Sequence, residues 1–204
     1  MDSAEVAMLG SVLRCGVGGI TLGVTTLATF SFVGVPTIPT GPPRAVTLQA
    51  ALLGGDDLPP GFAPAPGPPA PPGAGCPELL AHPTAGWAGA VERNQRQART
   101  GLHLWQAVAT PAGDALSRLR ARLSHCPGVR ELPRPIPAGW AFAVSVGSDH
   151  GYLAAGQVGS AVSVLRFLGP AGPATEAATR PEAVAVTLRT ALAKLVSVTG
   201  PPQR

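Results

Sequence analysis

Residues 139–169, GWAFAVSVGSDHGYLAAGQVGSAVSVLRFLG, constrain the fold more than any other part of the chain. Val158-Gly159-Ser160-Ala161 reads as a two-residue hairpin, because Gly-Ser between β-rich runs suits a primed turn. Folding the chain there predicts Val158 opposite Ala161, Ala154 opposite Leu165 and Tyr152 opposite Phe167. The aromatic pair would hold that register, since a one-residue slip turns every side chain to the wrong face. Upstream, Trp140, Phe142, Val144 and Val146 alternate with Ala141, Ala143, Ser145 and Gly147, the pattern of a half-buried strand. Ser148-Asp149-His150-Gly151 reads as the turn after it, because Asp and Gly favour turns. A three-stranded antiparallel meander is expected.

The remaining apolar segments must cover this meander. Two more strands are expected around 87–91 and 102–108, joined through the polar run ERNQRQART. Residues 47–53 predict two turns of helix capped by Thr47, and Cys76-Pro77-Glu78-Leu79-Leu80 opens a second short helix. Thr110-Pro111 reads as the start of a third, with Ala112, Ala115, Leu116, Leu119 and Leu123 on one stripe and Arg118 and Arg122 off it. A last helix begins at Pro181 and buries Val184, Leu188, Ala191, Leu192 and Leu195. Segments 59–75, 127–137 and 171–179 read as loops, the first of them proline-rich, and 199–204 as a disordered tail. The expected class is α+β, with an antiparallel sheet of about five strands and helices packed on one face, built from residues 45–198.

Ahead of that domain, residues 15–43 carry no charged side chain, and their apolar heart at 17–35 approaches the ~20 residues of a bilayer-spanning helix. Residues 1–35 are expected to form a signal anchor or transmembrane helix, with a proline-rich spacer at 36–44. Arg14 favours a cytoplasmic amino terminus, which places the following domain outside a membrane crossed once. Cleavage of the segment would instead secrete the domain. Arg14, immediately before Cys15, argues against a lipoprotein, which needs a small residue there. Gly19 and Gly23 form a GxxxG, read here as the ordinary glycine content of such helices.

Cys76 and Cys126, beyond that segment, are expected to form a disulfide in an oxidising compartment, leaving Cys15 unpaired. Closing such a loop is worth about 4 kcal/mol in the chain-entropy model. Fourteen arginines against the single Lys194 suggest a GC-rich genome such as an actinobacterium's. The formal net charge is +4, and the arginines are scattered, so nucleic acid is not an expected partner. Arg93, Arg96 and Arg99 read as a solvated hairpin tip rather than an anion patch, because no aromatics interleave them.

No motif identifies a reaction. GxSxG, the phosphate-cradling GxxxxGK and the dinucleotide fingerprint are missing from the sequence. His82, His103, His125 and His150 lack metal-ligand spacing, so neither a metal site nor a cofactor is expected. Ser148-Asp149-His150 has the letters of a catalytic triad, but three consecutive turn residues cannot meet as nucleophile, base and orienter. The leading reading is a non-enzymatic, membrane-anchored binding domain of the cell envelope with an unidentified ligand or protein partner. The alternatives are an envelope hydrolase or transferase assembled from dispersed residues such as His103, Asp149 and His150, and a structural membrane subunit that dimerises through its span. An apolar, arginine-rimmed cleft between sheet and helices would favour the first.

Four segments carry a family resemblance: ALLGGDDLPPGF (51–62), CPELL (76–80), SHCPGV (124–129) and GYLAAGQVGSAVSVLRFLG (151–169). Over roughly 45–198 the chain resembles the extracytoplasmic sensor domain of actinobacterial H-type receptor serine/threonine kinases and of related small lipoproteins. The resemblance implies a disulfide-braced α/β sandwich that binds an envelope ligand in a cleft. Two departures stand out. These 204 residues include no kinase domain, so a signal would pass to a partner, and they offer one candidate disulfide rather than two.

Overall fold

The computed structural model describes residues 45–67, 75–133 and 138–200. The expected anchor at 1–35, the spacer at 36–44, Cys15, and residues 68–74 of the proline-rich loop lie outside the described residues, as do 201–204. No described helix is long and apolar enough to cross a membrane.

Among the described residues one antiparallel sheet holds seven strands: β1 (Phe62–Pro64), β2 (Val91–Gln97), β3 (His103–Ala109), β4 (Arg130–Glu131), β5 (Gly139–Val146), β6 (Asp149–Val158) and β7 (Ala161–Pro170). Their spatial order is β1-β2-β3-β7-β6-β5-β4. Five helices accompany them: α1 (Ala45–Ala50), α2 (Cys76–Ala81), α3 (Ala115–Ser124), α4 (Pro173–Ala178) and α5 (Pro181–Thr199).

The meander forms in the expected register, with Val158 opposite Ala161, Ala154 opposite Leu165 and Tyr152 opposite Phe167. The Tyr152 and Phe167 rings stack with centroids 5.4 Å apart. Gly159 takes the positive φ that the first central residue of a type II′ turn requires. The first turn of the meander differs from the sequence reading. It is Gly147-Ser148, again with glycine at positive φ, so Asp149 and His150 already belong to β6 and pair with Val146 and Ser145. Gly151 has no room for a side chain, since a Cβ there would lie 1.7 Å from the Phe167 carbonyl oxygen.

Seven strands replace the expected five because β1 and β4 are short edge strands of three and two residues, set in segments read as loops. The strand placed around 87–91 instead runs from Val91 to Gln97, through the polar run read as a hairpin tip. β3 pairs it on one side and β1 on the other. Two helix starts also shift, and one helix is new. α1 begins at Ala45, so Thr47 lies inside it; α3 begins at Ala115 rather than at Thr110; and α4 occupies a segment read as a loop. α5 begins at Pro181 as expected and buries the expected stripe, though it extends through Thr199, where the tail had been placed.

Helices cover both faces of the sheet rather than one. Leu48 of α1, Leu52 just past it, and Leu188, Leu192 and Leu195 of α5 pack on Leu104, Val108, Tyr152, Ala154 and Leu165. On the opposite face, Leu79, Leu80, Leu119 and Leu123 of α2 and α3 pack on Trp105, Phe142, Val144, Leu153 and Val164. The strand positions alternate between these two clusters, as the pleat requires. β7 accordingly is buried at nine of its ten positions.

Candidate functional site

The face covered by α2 and α3 carries a cleft. α2 is six residues long, too short to persist on helix propensity, and two ties hold it down. At its start Cys76 is disulfide-bonded to Cys126, just past the end of α3, with Cα atoms 5.6 Å apart. At its end the Arg166 guanidinium, on β7, donates from Nη1 to the carbonyls of Leu80 at 2.8 Å and Ala81 at 2.6 Å. These carbonyls have no partner within the helix, and the cation suits the negative end of its dipole.

Arg166 is itself buried and lies over the Trp105 ring, 5.5 Å from its centroid. Trp105 Nε1 donates to Glu92 at 3.1 Å, and Glu92 accepts a longer bond from Thr84. Burial lowers the pKa of Arg166, and the nearby Glu92 opposes that shift. The chain of contacts from Glu92 to α2 fixes the segment 82–90 that follows the helix.

That segment and α3 enclose a cleft of about 460 Å³, inside the usual range of small-molecule sites. Pro83, Trp87, Pro111, Ala115 and Leu119 line it, and Arg118 and Arg122 stand on its rim. The Gly113 turn displaces the start of α3 past Pro111, leaving Thr110-Pro111 as cleft wall instead of helix. Arg118 pairs with Asp114, and both are largely exposed, so the pair contributes little to stability. Arg122 is exposed and makes no ion pair among the described residues. The cleft considered from sequence was to lie between sheet and helices; this one has arginines at its rim but lies between α3 and residues 83–88, with polar as well as apolar lining.

Of the dispersed residues of the enzyme alternative, His103 and Asp149 share a face of the sheet and His150 does not join them. His150 and Asp149 are neighbours on β6 and so point to opposite faces. His150 Nδ1 is 2.9 Å from Ser145 Oγ on the α5 side, and both residues are exposed. Asp149 belongs with His103 on the α2 side. There burial and then Arg96 hold the His103 imidazole below its usual pKa; Asp149 opposes them and Arg166 adds to them. The Ser–His pair therefore lacks its neighbouring carboxylate as orienter. His82 and His125 lie elsewhere, on the C-terminal caps of α2 and α3. No group of three or more His, Cys, Asp or Glu side chains able to hold a metal ion occurs among the described residues.

Arg93, Arg96 and Arg99 do not form one patch either. Arg93 Nη1 donates to the Leu53 carbonyl at 3.0 Å, alternation sends Arg96 to the other face, and Arg99 lies in the turn after β2. Leu53 is further held by Gln95 Nε2 on its carbonyl at 2.7 Å and by its own N–H to Gln106 Oε1 at 2.6 Å. Side chains from the sheet thus tie the chain just past α1, as Arg166 ties α2.

Comparison with protein-family models, with curated proteins and with solved structures gives no match to this chain. The four segments behind the sensor-domain resemblance all serve the scaffold. Residues 51–62 contain the tie at Leu53, 76–80 and 124–129 the disulfide, and 151–169 the β6–β7 hairpin. Sequence reasoning passed over Trp87 and Arg166. The legible sign for Arg166 was a lone charge inside the apolar run Val162-Ser163-Val164-Leu165-Arg166-Phe167-Leu168, where a buried cation needs acceptors.

Proposed function

We propose that the chain is a non-enzymatic, membrane-anchored domain of the cell envelope. It stands outside the cytoplasm, similar to the actinobacterial sensor domains named above, and binds a ligand or partner there. The observation that carries this reading is the cleft between α3 and residues 83–88. It offers apolar walls and two arginines, but no nucleophile beside a base. The cystine bridging α2 and α3 supports an oxidising location, where disulfides persist. The anchor rests on the apolar segment 17–35.

Native mass spectrometry of the full chain, released from its own membranes, tests the reading. A small molecule retained by the native protein and lost when Trp87→Ala opens the cleft is the expected result. A ligand-free spectrum combined with turnover of an envelope polymer would replace it with the hydrolase alternative.

A further inference from the structure

We infer that the cleft selects a small amphipathic anion, an apolar body carrying one carboxylate or phosphate; this rests on the binding reading and names its ligand class. Pro83, Ala85, Pro111, Ala115 and Leu119 give the walls apolar side-chain surface for a ligand body, and among the uncharged lining residues only Trp87 and Thr110 add a hydrogen-bonding side chain. The charged rim has one sign. Arg118 and Arg122 are four residues apart on α3, hence neighbours on the same side of the helix. The counter-charge is Asp114, which engages Arg118 from the exposed end of α3 and leaves Arg122 without a carboxylate among the described residues. Guanidinium matches the geometry of carboxylate and phosphate, and its weak hydration suits a site beside apolar surface. A cationic headgroup would face both arginines at the rim. A neutral one would leave Arg122 in water and gain only from burial of its tail. The volume of about 460 Å³ accommodates a short acyl or aryl body rather than a polymer segment.

The test uses the full chain in nanodiscs of zwitterionic lipid and a diazirine-bearing octanoate, with mass spectrometry locating the photo-adducts. Adducts are expected on the peptides containing 83–88 and 110–122. Unlabelled octanoate and octyl phosphate should compete for them, octanol about tenfold less well, the size of one charge-assisted hydrogen bond, and octyltrimethylammonium not at all. Arg122→Gln should weaken competition by octanoate about tenfold while leaving octanol unchanged. Arg120→Gln serves as the control, because Arg120 pairs with Glu131 and does not line the cleft. Phosphatidylglycerol vesicles that displace the probe would identify bilayer headgroups as the source of the anion. Vesicles that leave it bound, with octanoate still competing, identify a free amphiphile, and both results support the inference. Octanol competing as well as octanoate, or Arg122→Gln without effect on octanoate, overturns it. A molecule still found in the cleft by native mass spectrometry would then preserve the broader binding reading, whereas an empty cleft in both experiments removes the two together.

Discussion

α5 and α2 cover opposite faces of the same sheet by different means. α5 is nineteen residues long and settles on an unbroken stripe of Val184, Leu188, Ala191, Leu192 and Leu195, with Lys194 reaching Asp57 at the rim. Its hold is distributed, since apolar burial scales with the area removed from water. α2 has six residues and two principal apolar contacts, Leu79 and Leu80, and relies on one cystine and one guanidinium. Long helices can be held by area; short ones need ties to particular atoms. The cleft lies on the tied side, where the covering layer is discontinuous enough to leave a gap.

The comparison breaks first at α5. Leu188 is fully buried, and Leu188→Ala should cost about 4 kcal/mol through lost transfer energy and a residual cavity. Because the stripe is shared, chemical denaturation should show one cooperative transition at a lower midpoint. Cys126→Ser should cost about as much, up to about 4 kcal/mol, by releasing the constraint on the unfolded chain. Hydrogen exchange should rise first in α2 and residues 82–90, with α5 remaining protected. Equal acceleration in α5 would show that the two faces are not separately held.

The smallest effects are in pH dependence, and they have opposite signs on the two faces. Tyr152 lies under α5, where burial pushes its phenol up to about 12 despite a hydrogen bond with Thr187. The folded state resists losing that proton, so its contribution is whole below pH 10 and falls as pH rises toward 12, by about 2 kcal/mol. Tyr152→Phe should remove this alkaline loss. On the α2 face His103 is held neutral, so the unfolded chain gains a proton first as pH falls through 6.5. Stability should therefore decline below that pH, and His103→Gln should flatten the decline. Urea midpoints across both pH ranges measure these slopes.

The meander was legible because two local signals agreed, period-two alternation and a Gly-Ser turn flanked by β-branched or small residues. β2 was not, because its inward side chains are polar. Arg93 and Gln95 face the chain beyond α1 and donate to Leu53, so the strand lacks apolar alternation even though its backbone pairs throughout with β3. β1 and β4 were too short for any periodicity to register, and their placement depends on partners distant in sequence. The second helical layer did leave a sign. Leu165, Arg166, Phe167 and Leu168 are consecutive buried residues, and a strand buried on both faces reads as a continuous run rather than an alternation. Of the cleft, the arginines were visible as residues off the α3 stripe. Trp87 was not, because its place depends on Arg166 and Glu92 fixing the loop around it.

The β3–β7 ladder joins strands that neither follow one another in the chain nor share a turn: Ala109 pairs with Val162 and His103 with Leu168. β5, β6 and β7 close through two-residue turns and make short-range contacts, whereas this seam must wait for a large loop to close. During that interval β7 presents an unpaired backbone edge flanked by Leu165 and Phe167, a template for any strand that arrives. The β2–β3 hairpin is the intended arrival, and a second copy of the meander is its competitor. Crowding of nascent chains should then lower the share of protein that reaches its native sheet, as for any domain with a late-pairing edge.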